Sequence, residues 1–122
     1  MSIESDLFDG VSGALGHDRV FPPPLPNGIL FPAVTYARIT TGRIRSHDGT
    51  SAVRPLFQLS CWDPSAKTAS EVARELISYF EDARCLIQDD RGPFWEEGAN
   101  VHRRDLDVLV WATLDEEVSA SS

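Results

Sequence analysis

Asp63-Pro64-Ser65-Ala66-Lys67-Thr68-Ala69-Ser70-Glu71-Val72-Ala73-Arg74-Glu75-Leu76-Ile77-Ser78-Tyr79-Phe80 is the stretch that decides the fold. Ala66, Ala69, Val72, Ala73, Leu76, Ile77 and Phe80 recur at helical period and make one apolar stripe, with Lys67, Glu71, Arg74, Glu75 and Glu81 on the remaining arc. Asp at the cap position accepts a bond from a free amide, and Pro at the first helical position loses none. The pattern predicts a helix from Asp63-Pro64 to about Asp82 or Ala83 whose apolar face must find a partner.

That partner lies in the strands on either side. Arg54 to Trp62 alternates, with Phe57, Leu59 and Cys61 on one face and Gln58 and Ser60 on the other. Ala33 to Ile44 alternates as well. Between them stands the turn-rich Ser46-His47-Asp48-Gly49-Thr50-Ser51, so the two strands read as an antiparallel hairpin with a long tip loop. Cys85-Leu86-Ile87-Gln88 reads as a short strand bounded by Asp89-Asp90-Arg91-Gly92-Pro93, Phe94-Trp95 as a strand or a loop, and Glu96 to Asn100 as a turn. Asp105 to Leu114 alternates with apolar residues on both faces, the signature of a central or covered strand. The fold expected is α+β: an antiparallel sheet with the long helix across one face.

Upstream, Ile3, Leu7, Val11 and Ala14 or Leu15 space out a short N-terminal helix over roughly Ser2–Leu15, stopped by Gly16. Gly10, Gly13 and Gly16 weaken it by up to about 1 kcal/mol each, so it needs tertiary support. Arg19-Val20-Phe21 reads as a very short strand. Pro22, Pro23, Pro24, Pro26 and Pro32 then forbid both helix and central strand, leaving an extended arm. Two readings of the arm stand: a rigid surface loop, or a segment that packs on a neighbouring subunit, because Ile29, Leu30 and Phe31 are costly to leave bare.

The chain has 122 residues, 42% hydrophobic and 25% charged, which is one ordinary domain's worth. Residues 1–114 are expected to form it, with an acidic, Ser-rich, flexible tail over 115–122. Nineteen acidic residues against eleven basic ones give a net charge of −8. That disfavours adsorption to phosphate backbones and to anionic membranes. No apolar run reaches the ~20 residues of a membrane span, no secretory signal precedes Asp6, and two cysteines make no disulfide scaffold. The chain reads as one made in the cytoplasm.

Chemistry-bearing patterns are sparse. The glycines do not form a phosphate loop after a strand, and Ser60 and Cys61 stand mid-strand rather than on a nucleophile elbow. Cys61 reads as a small buried hydrophobe; Cys85 has Arg84 beside it. His17, His47 and His102 lie in three separate loop-like regions without ligand spacing, and Asp89-Asp90 and Glu96-Glu97 read as solvated turns rather than calcium ligands. No catalytic residue, metal site or cofactor is expected. Ten of the eleven cations are arginine. Arg43, Arg45 and Arg54 surround the hairpin loop and Arg103-Arg104 precede the last strand, a choice suited to bidentate pairing at protein interfaces.

The order of the pieces carries a resemblance: Gly16-His17-Asp18-Arg19-Val20-Phe21 before the proline arm, Phe31-Pro32-Ala33-Val34-Thr35-Tyr36, Ile39-Thr40-Thr41-Gly42, Phe57-Gln58-Leu59-Ser60-Cys61-Trp62, and the closing Arg104 to Trp111. This resembles the tail completion or tail terminator proteins of long-tailed bacteriophages and prophages, from about Ile3 to Trp111. It departs from them at Pro93-Phe94-Trp95, where a plain hairpin is usual. The resemblance implies a non-enzymatic virion protein at the head–tail interface, a ring of subunits (typically six) capping the head-proximal end of the tail tube. Its partners would be copies of itself, the tail tube protein and a head-completion or connector protein. DNA would pass through the lumen without specific binding, repelled by carboxylates such as Asp48 or Asp89-Asp90. The contact residues expected are Phe21, Leu25, Ile29, Leu30 and Phe31 in the arm and Arg43, Arg45, His47, Asp48 and Arg54 at the hairpin. A compact acidic binding module of the immunity or inhibitor type is the alternative function, and a small enzyme a third.

Overall fold

The computed structural model describes residues 3–45, 51–110 and 112–113; along 41–45, 51–54 and 112–113 it is the backbone that is described. The elements run α1 (Ile3–Leu15), β1 (Val20–Phe21), β2 (Ala33–Arg45), β3 (Ser51–Asp63), α2 (Ala66–Asp82), β4 (Leu86–Glu96), β5 (Val101–Leu109) and β6 (Ala112–Thr113). The strands form one sheet in the order β1-β2-β3-β5-β4, with β6 also on β3. This is the α+β fold expected. The sheet is mixed rather than purely antiparallel, because β1 joins β2 in parallel at Val20↔Val34 and Phe21↔Thr35.

Alternation along β3 sorts the two faces. Phe57, Leu59 and Cys61 are fully buried in one cluster with Val34 of β2, Leu106 and Val108 of β5, and Val72, Ala73, Leu76 and Phe80 of α2. Ile3, Leu7 and Val11 bring α1 into the same cluster. Removing each large side chain from water contributes about 1.5–3 kcal/mol, against tenths to ~1 kcal/mol for a surface ion pair. The core therefore holds both helices to one face of the sheet.

Several boundaries differ from the sequence expectation, each for a physical reason. The helix cap is Ser65, not Asp63: the Ser65 hydroxyl accepts from the Thr68 amide at 3.3 Å, and the Asp63 carboxylate accepts from the Ser65 amide at 2.8 Å. Asp63 is still a strand residue, paired with His102, so the helix starts two residues later. At the other end no glycine stops α2. Arg84 takes the left-handed conformation instead (φ 62°), and the Arg84 and Cys85 amides bond the Glu81 and Phe80 carbonyls.

The long tip loop is shorter than expected, since β2 and β3 stay paired up to Arg45↔Ser51. Ile39, Thr40, Thr41, Ile44 and Val53 are β-formers and keep the ladder going. Asp89 to Pro93 does not bound a strand: β4 runs through it, with register shifts between Ile87 and Asp89 and between Arg91 and Phe94. Gly-Pro and charge are tolerated there because β4 is an edge strand. The chain thus does form a hairpin, β4–β5, at the point where the resemblance departs. The last strand starts at Val101, so Arg103 and Arg104 lie inside it. It also breaks before β6, where Pro55 offers no amide and its carbonyl accepts from Val110 at 2.9 Å. Residues 115–122, assigned to a tail, lie outside the described residues.

The α1 glycines are not equivalent. Gly16 has φ +76° and its amide bonds the Ser12 carbonyl at 2.9 Å, ending the helix where the sequence says. Gly10 faces Tyr79, and a Cβ there meets the Tyr79 Oη and lies 2.7 Å from its Cζ, whereas Gly13 has open space. Gly13→Ala is expected to raise unfolding free energy by about 0.5–1 kcal/mol. Gly10→Ala should lower it by about 1–3 kcal/mol, because Tyr79 must leave its seat. Urea titrations followed by circular dichroism read both, and equal effects at the two sites exclude a close α1–α2 approach.

Candidate functional site

The residues expected to make contacts fall into two groups at opposite ends of β2, about 40 Å apart for thirteen residues at ~3.3 Å each. The arm group gathers at the β2 start. Its base is stapled: the Arg19 amide donates to His17 Nδ1 at 3.2 Å, Arg19 Nε donates to the Pro32 carbonyl at 2.9 Å, and the Val34 amide to the Arg19 carbonyl at 2.9 Å. Partial burial, and after it the Arg19 charge, lower the His17 pKa and keep Nδ1 an acceptor. Leu25, Ile29 and Phe31 are half-buried and, with Trp62, Glu96 and Ala99, line a groove of about 480 Å3. Leu30 points away, 73% exposed, and Phe21 is half-buried on β1.

The second group is at the hairpin. Arg43 pairs with Val53, Arg45 with Ser51 and Arg54 with Gly42, so all three are strand residues rather than loop residues. His47 and Asp48 lie outside the described residues.

The sheet face away from the helices carries a polar layer that sequence reasoning did not assemble. Ser60 Oγ donates to Asp105 Oδ1 at 2.7 Å, Trp62 Nε1 donates to Thr35 Oγ1 at 2.9 Å, and Arg103 Nε lies 3.1 Å from Asp105 Oδ1. The Arg103 guanidinium sits over both the Trp62 and Phe94 rings, at 5.8 and 5.4 Å, and donates to Glu96. Phe94 and Trp95 are 41% and 52% exposed at this end, with Trp95 tilted over His102. The signal for this cluster was present: Trp62 and Arg103 each alternate with the core residues beside them, but only strand pairing aligns them.

Along the β4 edge, acids and arginines pair. Arg91 donates to Asp89 at 2.6 Å and to Asp107 at 2.7 and 3.1 Å, and Arg104 holds Asp90 at 2.8 Å through two nitrogens and reaches Ser70 of α2 at 3.0 Å. Asp89 and Asp90 are therefore paired strand residues, not a solvated turn. The Asp107 carboxylate, then Asp89, raises the Arg91 pKa, and Asp90 raises that of Arg104.

Reactive groups are not poised. Cys61 is completely buried and burial pushes its thiol far above the ordinary range, the opposite of thiolate activation. Among the described residues no three His, Cys, Asp or Glu side chains gather to hold a metal ion, and no helix is long and apolar enough to cross a membrane.

No family model matches the sequence. No curated protein matches it significantly. Among solved structures, a chain from the virion of a native gene transfer agent particle has the same fold, with a TM-score of 0.58 at 10% identity, over 92% of this chain and 95% of that one.

The β4 ion pairs have an acid limit. The Arg91 guanidinium, and after it the Asp90 amide, hold the Asp89 pKa below the usual carboxylate value. A pKa depressed in the folded chain means that the pairing contributes stability above an unfolded Asp pKa of ~3.9 and loses it as pH falls through the lower folded value. Carboxyl NMR titration should place Asp89 below ~3.9, and Arg91→Gln should return it towards that figure. Titration at or above ~3.9 in the native chain rules the pairing out in solution.

Proposed function

We propose that this chain is a structural assembly protein of a phage or phage-like particle, and within it the tail terminator. A ring of copies, six by the resemblance, caps the head-proximal end of the tail tube and joins it to the head. The observation that carries this reading is the shared fold with a gene transfer agent virion chain over nearly the full length of both. The order of sequence segments points the same way independently.

Physical features support it. Contact-prone material sits at both ends of a long hairpin: the arm with exposed Leu30 beside Phe94 and Trp95 at one end, and arginine-bearing strands at the other. A unit built to touch different neighbours at its two ends has this form. The tail tube protein and a head-completion protein are the neighbours proposed, besides further copies of the chain. A net charge of −8 suits the wall of a DNA conduit, because carboxylates repel phosphate and let the duplex slide. No reaction is assigned to the chain.

Removing the gene from a particle-producing strain should leave separate heads and tails in electron micrographs, with joining restored by a plasmid copy. Gold label on a tagged chain should fall at the head–tail junction. Joined particles without the chain, or purified particles that do not contain it, overturn the reading.

A further inference from the structure

Much of β2 has no neighbour on its outer side. β1 covers it at Val34 and Thr35, and from Tyr36 to Arg45 no strand among the described residues lies on that edge. Ten residues at ~3.3 Å make an open edge of about 33 Å. Such an edge is a template for strand addition unless it is guarded. The opposite edge is guarded: β4 carries two register shifts, Gly92-Pro93, and an Asp90 amide already bonded to Asp89 Oδ1 at 2.9 Å. β2 has no proline and no such shield, only the one shift between Arg38 and Thr40.

Charge selects the strand that fits. β2 contains three arginines and no acid. A second β2 brings like charges together, and Asp89 and Asp90 of β4 are committed to Arg91 and Arg104. One acidic stretch remains, Leu114-Asp115-Glu116-Glu117-Val118, with an apolar residue at each end. Asp115 and Glu117 are two positions apart, as are Arg43 and Arg45, which is the spacing that cross-strand pairing requires. The stretch follows β6, and β6 lies on the side of β3 away from β2. It thus leaves the fold on the far side from its own open edge, which favours the edge of a neighbour.

We propose that residues 114–118 add as a strand to the outer edge of β2, Tyr36–Arg45, in a second copy of the chain. Copies joined this way stand head to tail, a contact that closes into a ring when the rotation allows. The inference rests on the assembly role proposed above and names the joint between copies.

Sedimentation velocity on the purified full chain tests it. The full chain should associate with concentration, and a chain ending at Thr113 should dissociate about 100-fold more readily while keeping its circular dichroism and melting temperature. Arg43→Glu with Arg45→Glu, and Asp115→Lys with Glu117→Lys, should each weaken association by about 10-fold or more, and the four changes together should restore it. A full chain that stays monomeric, a truncated chain that associates as well as the full one, or charge variants that are unaffected or not restored by combination overturn the proposal. If truncation leaves association intact while loss of the gene still separates heads from tails, the joint is wrong and the assembly role stands.

Discussion

Burial of Phe57, Leu59 and Cys61 beneath α2 is the interaction on which the rest of the structure depends. These residues belong to the strand that pairs on both sides, with β2 and with β5 and β6, so fixing their face fixes the face of every neighbour. Once they point to the helices, Ser60 and Trp62 point the other way. The Ser60–Asp105 bond and the Trp62–Arg103–Phe94 stack then follow from register alone. A one-residue slip would send the hydroxyl and the carboxylate into the core, where neither has a partner, so the polar layer also penalises wrong pairings.

What could be read from the sequence was what short-range pattern determines. The α2 stripe, the β3 alternation, the Gly16 stop and the two-residue β1 are local signals, and they stand in the fold where the sequence puts them. What was missed depends on partners distant in sequence. Asp63 looked like a cap until its pairing with His102 kept it in a strand, and Arg84 carries no sign that it replaces a glycine at the helix end. Asp89 to Pro93 has turn composition, yet Asp107 and Arg104 hold it against β5. The candidate site was legible in part: Leu25, Ile29 and Phe31 do meet in one groove, but their companions Trp62 and Glu96 come from strands that only the sheet brings there.

The molecule is unequal from one side to the other. Its β4 edge is occupied by its own ion pairs, while along most of its length β2 has no strand on its outer side. Its helical face is closed by a dry core and its other face by charge-bearing hydrogen bonds. Such a unit has a defined front, back, and direction along the sheet. These are the properties a repeating part needs if each copy is to meet the next in a single way.

The two thiols live in different worlds, and this gives the molecule a built-in handle. Cys61 is sealed in the core with its proton held tightly, whereas Cys85 is half-exposed just past the end of α2, beside Phe80 and Val110. A maleimide dye therefore has one place to attach in the folded chain, at a spot remote from both the arm and the hairpin tip. A fluorophore placed there follows each copy into a particle without touching the surfaces that bring it in.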